Sequence, residues 1–269
     1  GSNPCSPATK LQPNALEFSL YKEGEAMYSY KTRIRYSELD ATGHLKIESL
    51  LDYFQDCSAF QSEALGVGFY PLQERGLAWV LSYWQIVVDR FPDFYEDVET
   101  GTYPYNFKGC FGQRNFFMKD KDGNFLAKAD SLWSLIDTKA FKLTNIPEDV
   151  SAKYEKSEKL PMDYAGRKIA VPEGGSMEEN ITVNPHHLDT NHHVNNAQYV
   201  RMAAAYLPES FEIGQMRVEY RKQALLHDVL HPYVVKRTAE SGEELYTVSL
   251  QDEEGKAYAN VEFKEKKHD

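Results

Sequence analysis

Ile47, Leu50, Leu51, Phe54 and Cys57 recur at the spacing of one helical face. The stretch predicts a helix apolar enough to be wrapped by a sheet rather than laid on a surface. Most other apolar positions alternate with polar ones, which predicts half-buried strands. In the first half these are residues 28–35, 78–90, 97–105, 112–119 and 124–136; in the second, 178–183, 212–220, 229–237, 244–252 and 256–264. Turns centred on Gly123 and Gly255 join neighbouring strands as hairpins. Long antiparallel strands with one helix per half make an α+β pattern. Strands and helices do not alternate, and no glycine-rich phosphate loop occurs, so a doubly wound nucleotide-binding sheet is excluded.

The chain repeats itself. Residues 39–54 read LDATGHLKIESLLDYF and residues 188–203 read LDTNHHVNNAQYVRMA. Asp40 corresponds to Asp189 and His44 to His193, 149 positions apart. Further on, KDKDGNFLAKA (119–129) corresponds to QDEEGKAYANV (251–261), 132 positions apart. The shorter offset predicts extra residues between helix and hairpins in the first copy. A diverged tandem duplication follows, with the halves at 26–154 and 177–269. Residues 155–176 carry two prolines and three glycines among charged residues and read as a surface linker long enough to fold the second half back on the first. Residues 1–25, with three prolines and no long apolar run, read as a flexible lead-in rather than a secretory signal.

Apolar residues make up 42% and charged residues 26% of 269, so the chain can bury a core without staples. No apolar run is long enough to span a bilayer, so no membrane association is expected. The net charge of −11 disfavours a nucleic-acid partner, which needs clustered cations. Cys5, Cys57 and Cys110 are odd in number and far apart, which argues against disulfides and for a reducing, cytoplasmic setting.

The densest polar cluster is NPHHLDTNHHVNN, residues 184–196. A solvated loop ending in an asparagine helix cap would account for its composition. Metal binding by His186, His187, Asp189, His192 and His193 is disfavoured: the spacing fits no zinc pattern, and the first copy keeps only one aspartate and one histidine. The third reading is hydrolysis. Asp189, Asn191 and His193 fall at alternate positions, so an extended turn would aim a carboxylate, an amide and an imidazole at one volume. That set suits water-mediated acyl transfer: one group activates water, one moves a proton and one holds the carbonyl. No GxSxG nucleophile elbow is present.

With LDTNHHVNN at 188–196, WVLSYWQIVVDRFPDFYEDVET at 79–100 and VEYRKQ at 218–223, the chain resembles the acyl-acyl carrier protein thioesterases of plants and bacteria. The resemblance runs from about residue 27 to 265. It implies two hotdog domains in tandem, each an antiparallel sheet wrapped around one long helix, the first supplying an acyl pocket and the second the catalytic groups. It also implies hydrolysis of fatty acyl-acyl carrier protein to free fatty acid and carrier protein, without metal or other cofactor. Asp189, Asn191 and His193 are the catalytic trio it implies. Plant members usually carry glutamate and cysteine where this chain has Gln223 and Ala224. Neither an amide nor a methyl can act as base or nucleophile, so the base is expected at Asp189 or His193, with Gln223 orienting water. An acyl-CoA thioesterase and a non-catalytic acyl-binding module remain alternatives. The first-copy residues Asp40, Thr42 and His44 read as a structural relic that shapes the acyl pocket, with a second active site as the alternative. Tyr53, Phe54, Phe60, Phe69, Tyr70, Trp79 and Trp84 are candidates for core or for an acyl tunnel. The carrier is itself acidic, so docking needs a local cation patch, with Arg217, Arg221, Lys222 and Arg201 as candidates. Monomer and homodimer are both compatible with a tandem of this kind.

Overall fold

A computed structural model describes residues 27–240 and 242–267; the expected lead-in at 1–25 lies outside them. The first half runs β1 (Tyr28–Arg33), α1 (Ile47–Ala64), α2 (Phe69–Glu74), β2 (Leu77–Val88), β3 (Asp97–Lys108), β4 (Phe111–Asp120), β5 (Phe125–Asp137), β6 (Lys142–Leu143) and α3 (Glu148–Ser151). The second runs β7 (Ser176–Met177), β8 (Ile181–Thr182), α4 (Asn196–Ala204), β9 (Ile213–Tyr220), β10 (Val229–Thr238), β11 (Glu244–Gln251) and β12 (Ala257–Glu265). The expected α+β architecture is present.

One antiparallel sheet passes through both halves in the order β1-β3-β4-β5-β2-β9-β12-β11-β10-β7. The seam is β2 against β9, where Tyr83–Val87 pairs with Gln215–Glu219. Helices α1 and α4 pack side by side against the sheet. The apolar face read from the sequence is the one α1 buries: Ile47, Leu50, Leu51, Phe54 and Cys57 are all buried. Phe54, Trp84 and Phe116 meet with ring centroids 4.6–6.1 Å apart and anchor the core of the first half. Their alternate neighbours on β2, β4 and β9 face the opposite side of the sheet.

Helix α1 ends in a glycine-closed turn. Gly66 adopts φ +71°, and the N–H groups of Gly66 and Val67 donate to the carbonyls of Glu63 and Ser62. Helix α4 is much shorter than the long helix expected: nine residues against eighteen. Pro208 follows shortly after its end and cannot continue it. The longer α1 and the added α2 are the extra residues predicted for the first copy.

Residues 178–183 do not form the continuous strand expected there. Within that span only Ile181–Thr182 (β8) is strand; β7 lies just before it, and both pair with β10. Between them Glu178 N–H donates to the Pro232 carbonyl at 2.9 Å, and proline has no N–H to return the bond. The linker at 155–176 has a definite course. It lies on the surface as a strap across the outer face of the sheet, held at specific points, with Leu160 and Ile169 buried. Gln85, fully buried on β2, donates to the Asp163 carbonyl at 2.7 Å and accepts from Ala165 N–H at 2.8 Å. Asn115 Oδ1 holds Leu160 N–H at 3.0 Å, and Glu219 holds Ile169 N–H at 3.1 Å.

Candidate active site

The polar run folds into a tight turn. Leu188 and Val194 face each other as an isolated bridge, and Asp189 N–H donates to the His193 carbonyl at 2.8 Å. Asp189 Oδ1 accepts from the Asn191 amide at 2.8 Å and from the His193 amide at 3.4 Å. His192 takes the left-handed conformation, φ +62°, that closes the turn. Before it, the Asn184 N–H donates to His187 Nδ1 at 3.0 Å, which fixes that ring as an acceptor there. Burial, His186 and Arg201 hold the His187 pKa below the ordinary imidazole value. After it, Asn195 Oδ1 caps α4 by accepting from Ala197 N–H at 2.8 Å.

A second loop lies alongside. Val194 N–H donates to the Ala224 carbonyl at 3.0 Å, His193 bridges to Leu225, and Ala224 N–H donates to the Tyr199 hydroxyl at 2.8 Å. These contacts place Gln223 next to the Asp189–His193 turn. Ala224 is fully buried and supplies only backbone.

The first copy builds the same turn and spends its polar groups differently. Asp40 Oδ1 accepts from the Thr42 and His44 amides at 2.8 and 3.1 Å, and Gly43 takes the left-handed position. The His44 ring is engaged on both nitrogens, by Thr42 Oγ1 at 2.8 Å and Asp93 Oδ1 at 3.2 Å. Among the described residues neither the His193 ring nor the side-chain amides of Asn191 and Gln223 have a protein partner. In the second copy these groups are left for something else to bind.

They open onto a cavity of about 880 Å³. Asp189, Asn191, His193 and Gln223 all line it, so the structure brings the four predicted residues together; Asp40, Thr42 and His44 are not among its walls. Val194, Asn196, Tyr199 and Tyr220–Lys222 of the second half line it as well; most of the remaining lining comes from the first half, with α1, α2 and strands β2 to β5 all contributing. Of the seven candidate aromatics, Phe69 and Trp79 line the cavity. Tyr53, Phe54 and Trp84 are core, while Phe60 and Tyr70 are exposed.

Arg114 lines the cavity and was not singled out from the sequence. Its signal was there: it stands in phase with Gly112, Phe116 and Met118 on one face of β4. Arg217, proposed for docking, is instead tied to Glu262 at 2.7 Å and to the Gly166 carbonyl of the strap at 2.9 Å. Lys222 is held by Asp252 at 2.9 Å. Cys57 is fully buried, its thiol pKa pushed up chiefly by that burial, and it does not reach the cavity.

Comparison with known proteins agrees with this architecture. The model of the acyl-ACP thioesterase N-terminal domain matches residues 25–154, and that of the acyl-ACP thioesterase C-terminal domain matches residues 172–265. The acyl-[acyl-carrier-protein] hydrolase FATB3 of Cuphea viscosissima is 27% identical over 239 residues, 82% of this chain and 58% of that protein. A palmitoyl-acyl carrier protein thioesterase of Gossypium hirsutum is 27% identical over 76% of this chain and 54% of its own length. The chain thus spans little more than half the length of the curated relatives it matches. Two solved structures superpose with a TM-score of 0.80. The acyl-ACP thioesterase of Bacteroides thetaiotaomicron is 22% identical, covering 91% of this chain and all of that one. The 12:0-ACP thioesterase of Umbellularia californica is 20% identical, covering 90% and 94%. The fold is the tandem hotdog, and the chain belongs to the acyl-ACP thioesterase family.

Proposed function

We propose that this chain hydrolyses the thioester of fatty acyl-acyl carrier protein, releasing free fatty acid and carrier protein. One observation carries the reading. Unpartnered polar groups of the second half, on the Asp189–His193 turn and at Gln223, stand at one side of a cavity whose other walls come mostly from the first half. The cavity would take the acyl chain and the turn would take the thioester.

The chemistry follows from which atoms are free. Asp189 Oδ1 is committed to two loop amides, which orient the carboxylate and leave Oδ2 to act. Oδ2 accepts a proton from water as the water oxygen attacks the thioester carbonyl. The side-chain amide of Asn191 donates to the carbonyl oxygen as it gains charge. Collapse of the adduct breaks the C–S bond, and the proton passes through His193 to the departing thiolate. Gln223 orients the water. The amides of Ala197 and Gln198, at the start of α4, are already bound to Asn195, so they take no part in holding the oxyanion.

Asp189→Asn tests the reading, because it keeps the oxygen that holds the turn and removes only the charge. Thiol release from acyl-acyl carrier proteins of short to long chain should fall about a thousandfold, the usual scale of acid–base assistance, with the unfolding midpoint unchanged. Wild-type turnover in this protein would move the base to His193. No release by the wild type at any chain length, with acyl ligand still bound, would leave the acyl-binding alternative.

A further inference from the structure

Arg114 is a cation without a counter-ion inside the cavity. It is 7% exposed, and among the described residues no carboxylate pairs with it. Its one side-chain hydrogen bond is from Nη2 to Gln61 Oε1, at 2.8 Å. The guanidinium carbon lies 5.6 Å from the Tyr154 ring centroid and 5.8 Å from that of Phe116. Tyr154 is fixed in turn by its hydroxyl, which donates to Ser62 at 2.8 Å. Burial pushes the Arg114 pKa down, as it must for a charge held away from bulk water. A guanidinium has five N–H groups, so among the described residues most of its donors have no protein acceptor.

Its depth can be read along α1. Gln55 marks the end near the turn, since it accepts from Asn196 Nδ2 at 3.2 Å. Gln61 is six residues further, about 9 Å along the helix axis. Arg114 therefore stands down the cavity from the turn, where the body of an acyl chain would lie, not at the thioester.

We propose that Arg114, held by Gln61, is a polar stop that sets how long a plain alkyl chain the cavity accepts; this rests on the thioesterase reading above. While the cavity is open, water can solvate the free guanidinium donors. An alkyl chain long enough to cover the guanidinium strips that water and offers no acceptor. The loss on leaving several charged donors unpaired exceeds the gain from burying another methylene. Chains ending short of Arg114 escape this cost. A chain carrying an oxygen at its end would replace the lost water.

The experiment compares kcat/KM over straight-chain acyl-acyl carrier proteins of increasing length in the wild type and in Arg114→Met, which keeps bulk and removes charge. The readout is the ratio of long-chain to short-chain kcat/KM. It should rise by about tenfold for the first length beyond the wild-type cut-off, the scale of a one-methylene discrimination. An unchanged ratio, with all lengths slowed alike, would overturn the proposal and make Arg114 a structural residue. A second measurement needs no variant. At that same chain length, a terminal hydroxyl should raise wild-type kcat/KM; a fall would show an apolar end to the pocket and overturn the stop. If the wild type released no thiol from any substrate, the thioesterase reading itself would have failed, a result distinct from both.

Discussion

Asp130 shows what burial does to a single carboxyl in this molecule. It sits on β5 on the outer face of the sheet, 7% exposed, with its Oδ1 accepting from the Tyr105 hydroxyl at 2.8 Å. Burial pushes its pKa up to about 6, against the pull of Tyr105 and Lys159. The unfolded chain releases the same proton at roughly 3.9. Between those values the folded state holds more protons than the unfolded one, so stability falls as pH rises through the window and stays lower above it. Asp130→Asn keeps the acceptor for Tyr105 and removes the ionisation. It should be more stable than the wild type at neutral pH, by on the order of 2 kcal/mol. The advantage should vanish near pH 4, as followed by urea unfolding across that range. A difference independent of pH would contradict the assignment. At this scale the sequence was legible where chemistry is dense and opaque where it is sparse. The run at 184–196 announced Asp189, Asn191 and His193. It did not say that Asp189 would bend one oxygen back onto its own loop. Arg114 stood in phase with Phe116 and Met118, but alternation gives faces without saying which face borders a cavity.

The elements were the most readable level, because period and punctuation are local. The eight long strands fall within a few residues of their expected bounds, and each half's central hairpin closes at its glycine: Gly123 takes φ +85° and Gly255 φ +76°. Where the strand pattern differed, the cause was a single residue with long-range effect. Pro232, a neighbour across the sheet rather than along the chain, breaks the strand expected at 178–183. Helix α1 was legible because its apolar face is unbroken, and its packing gives a direct test. Phe54 is fully buried between Trp84 and Phe116. Phe54→Ala should cost about 3–5 kcal/mol in chemical denaturation, as large-to-small changes in a rigid aromatic core do. A cost below about 1 kcal/mol would mean that the core collapses around the gap.

At the scale of the whole molecule, duplication was visible in the sequence and assembly was not. That the halves meet at β2 and β9 depends on pairing between strands far apart in the sequence, which no local pattern records. The strap is held by Gln85, Asn115 and Glu219, polar side chains on strands otherwise read for their apolar faces. The strap also changes the electrostatics. A chain of net charge −11 has no long-range attraction for an acidic carrier, so on the proposed function docking would depend on cations near the cavity that are still free. Arg217 is taken by Glu262 and the strap, and Lys222 by Asp252. Arg221 lines the cavity, is exposed, and among the described residues its guanidinium has no ion-pair partner. A carrier protein approaching the Asp189 turn would meet this charge, whereas a small thioester needs no docking face. Arg221→Glu should therefore raise KM for carrier-borne substrate by about tenfold, the effect of losing one attractive rim charge and adding a repulsive one. KM for an acyl-CoA of the same chain should rise much less, and the carrier-specific part of the effect should shrink as salt is added. Equal increases for both substrates at all salt concentrations would place Arg221 against the shared thioester end of the substrate and move the docking face elsewhere, with exposed Arg201 on α4 as the next cation to reverse.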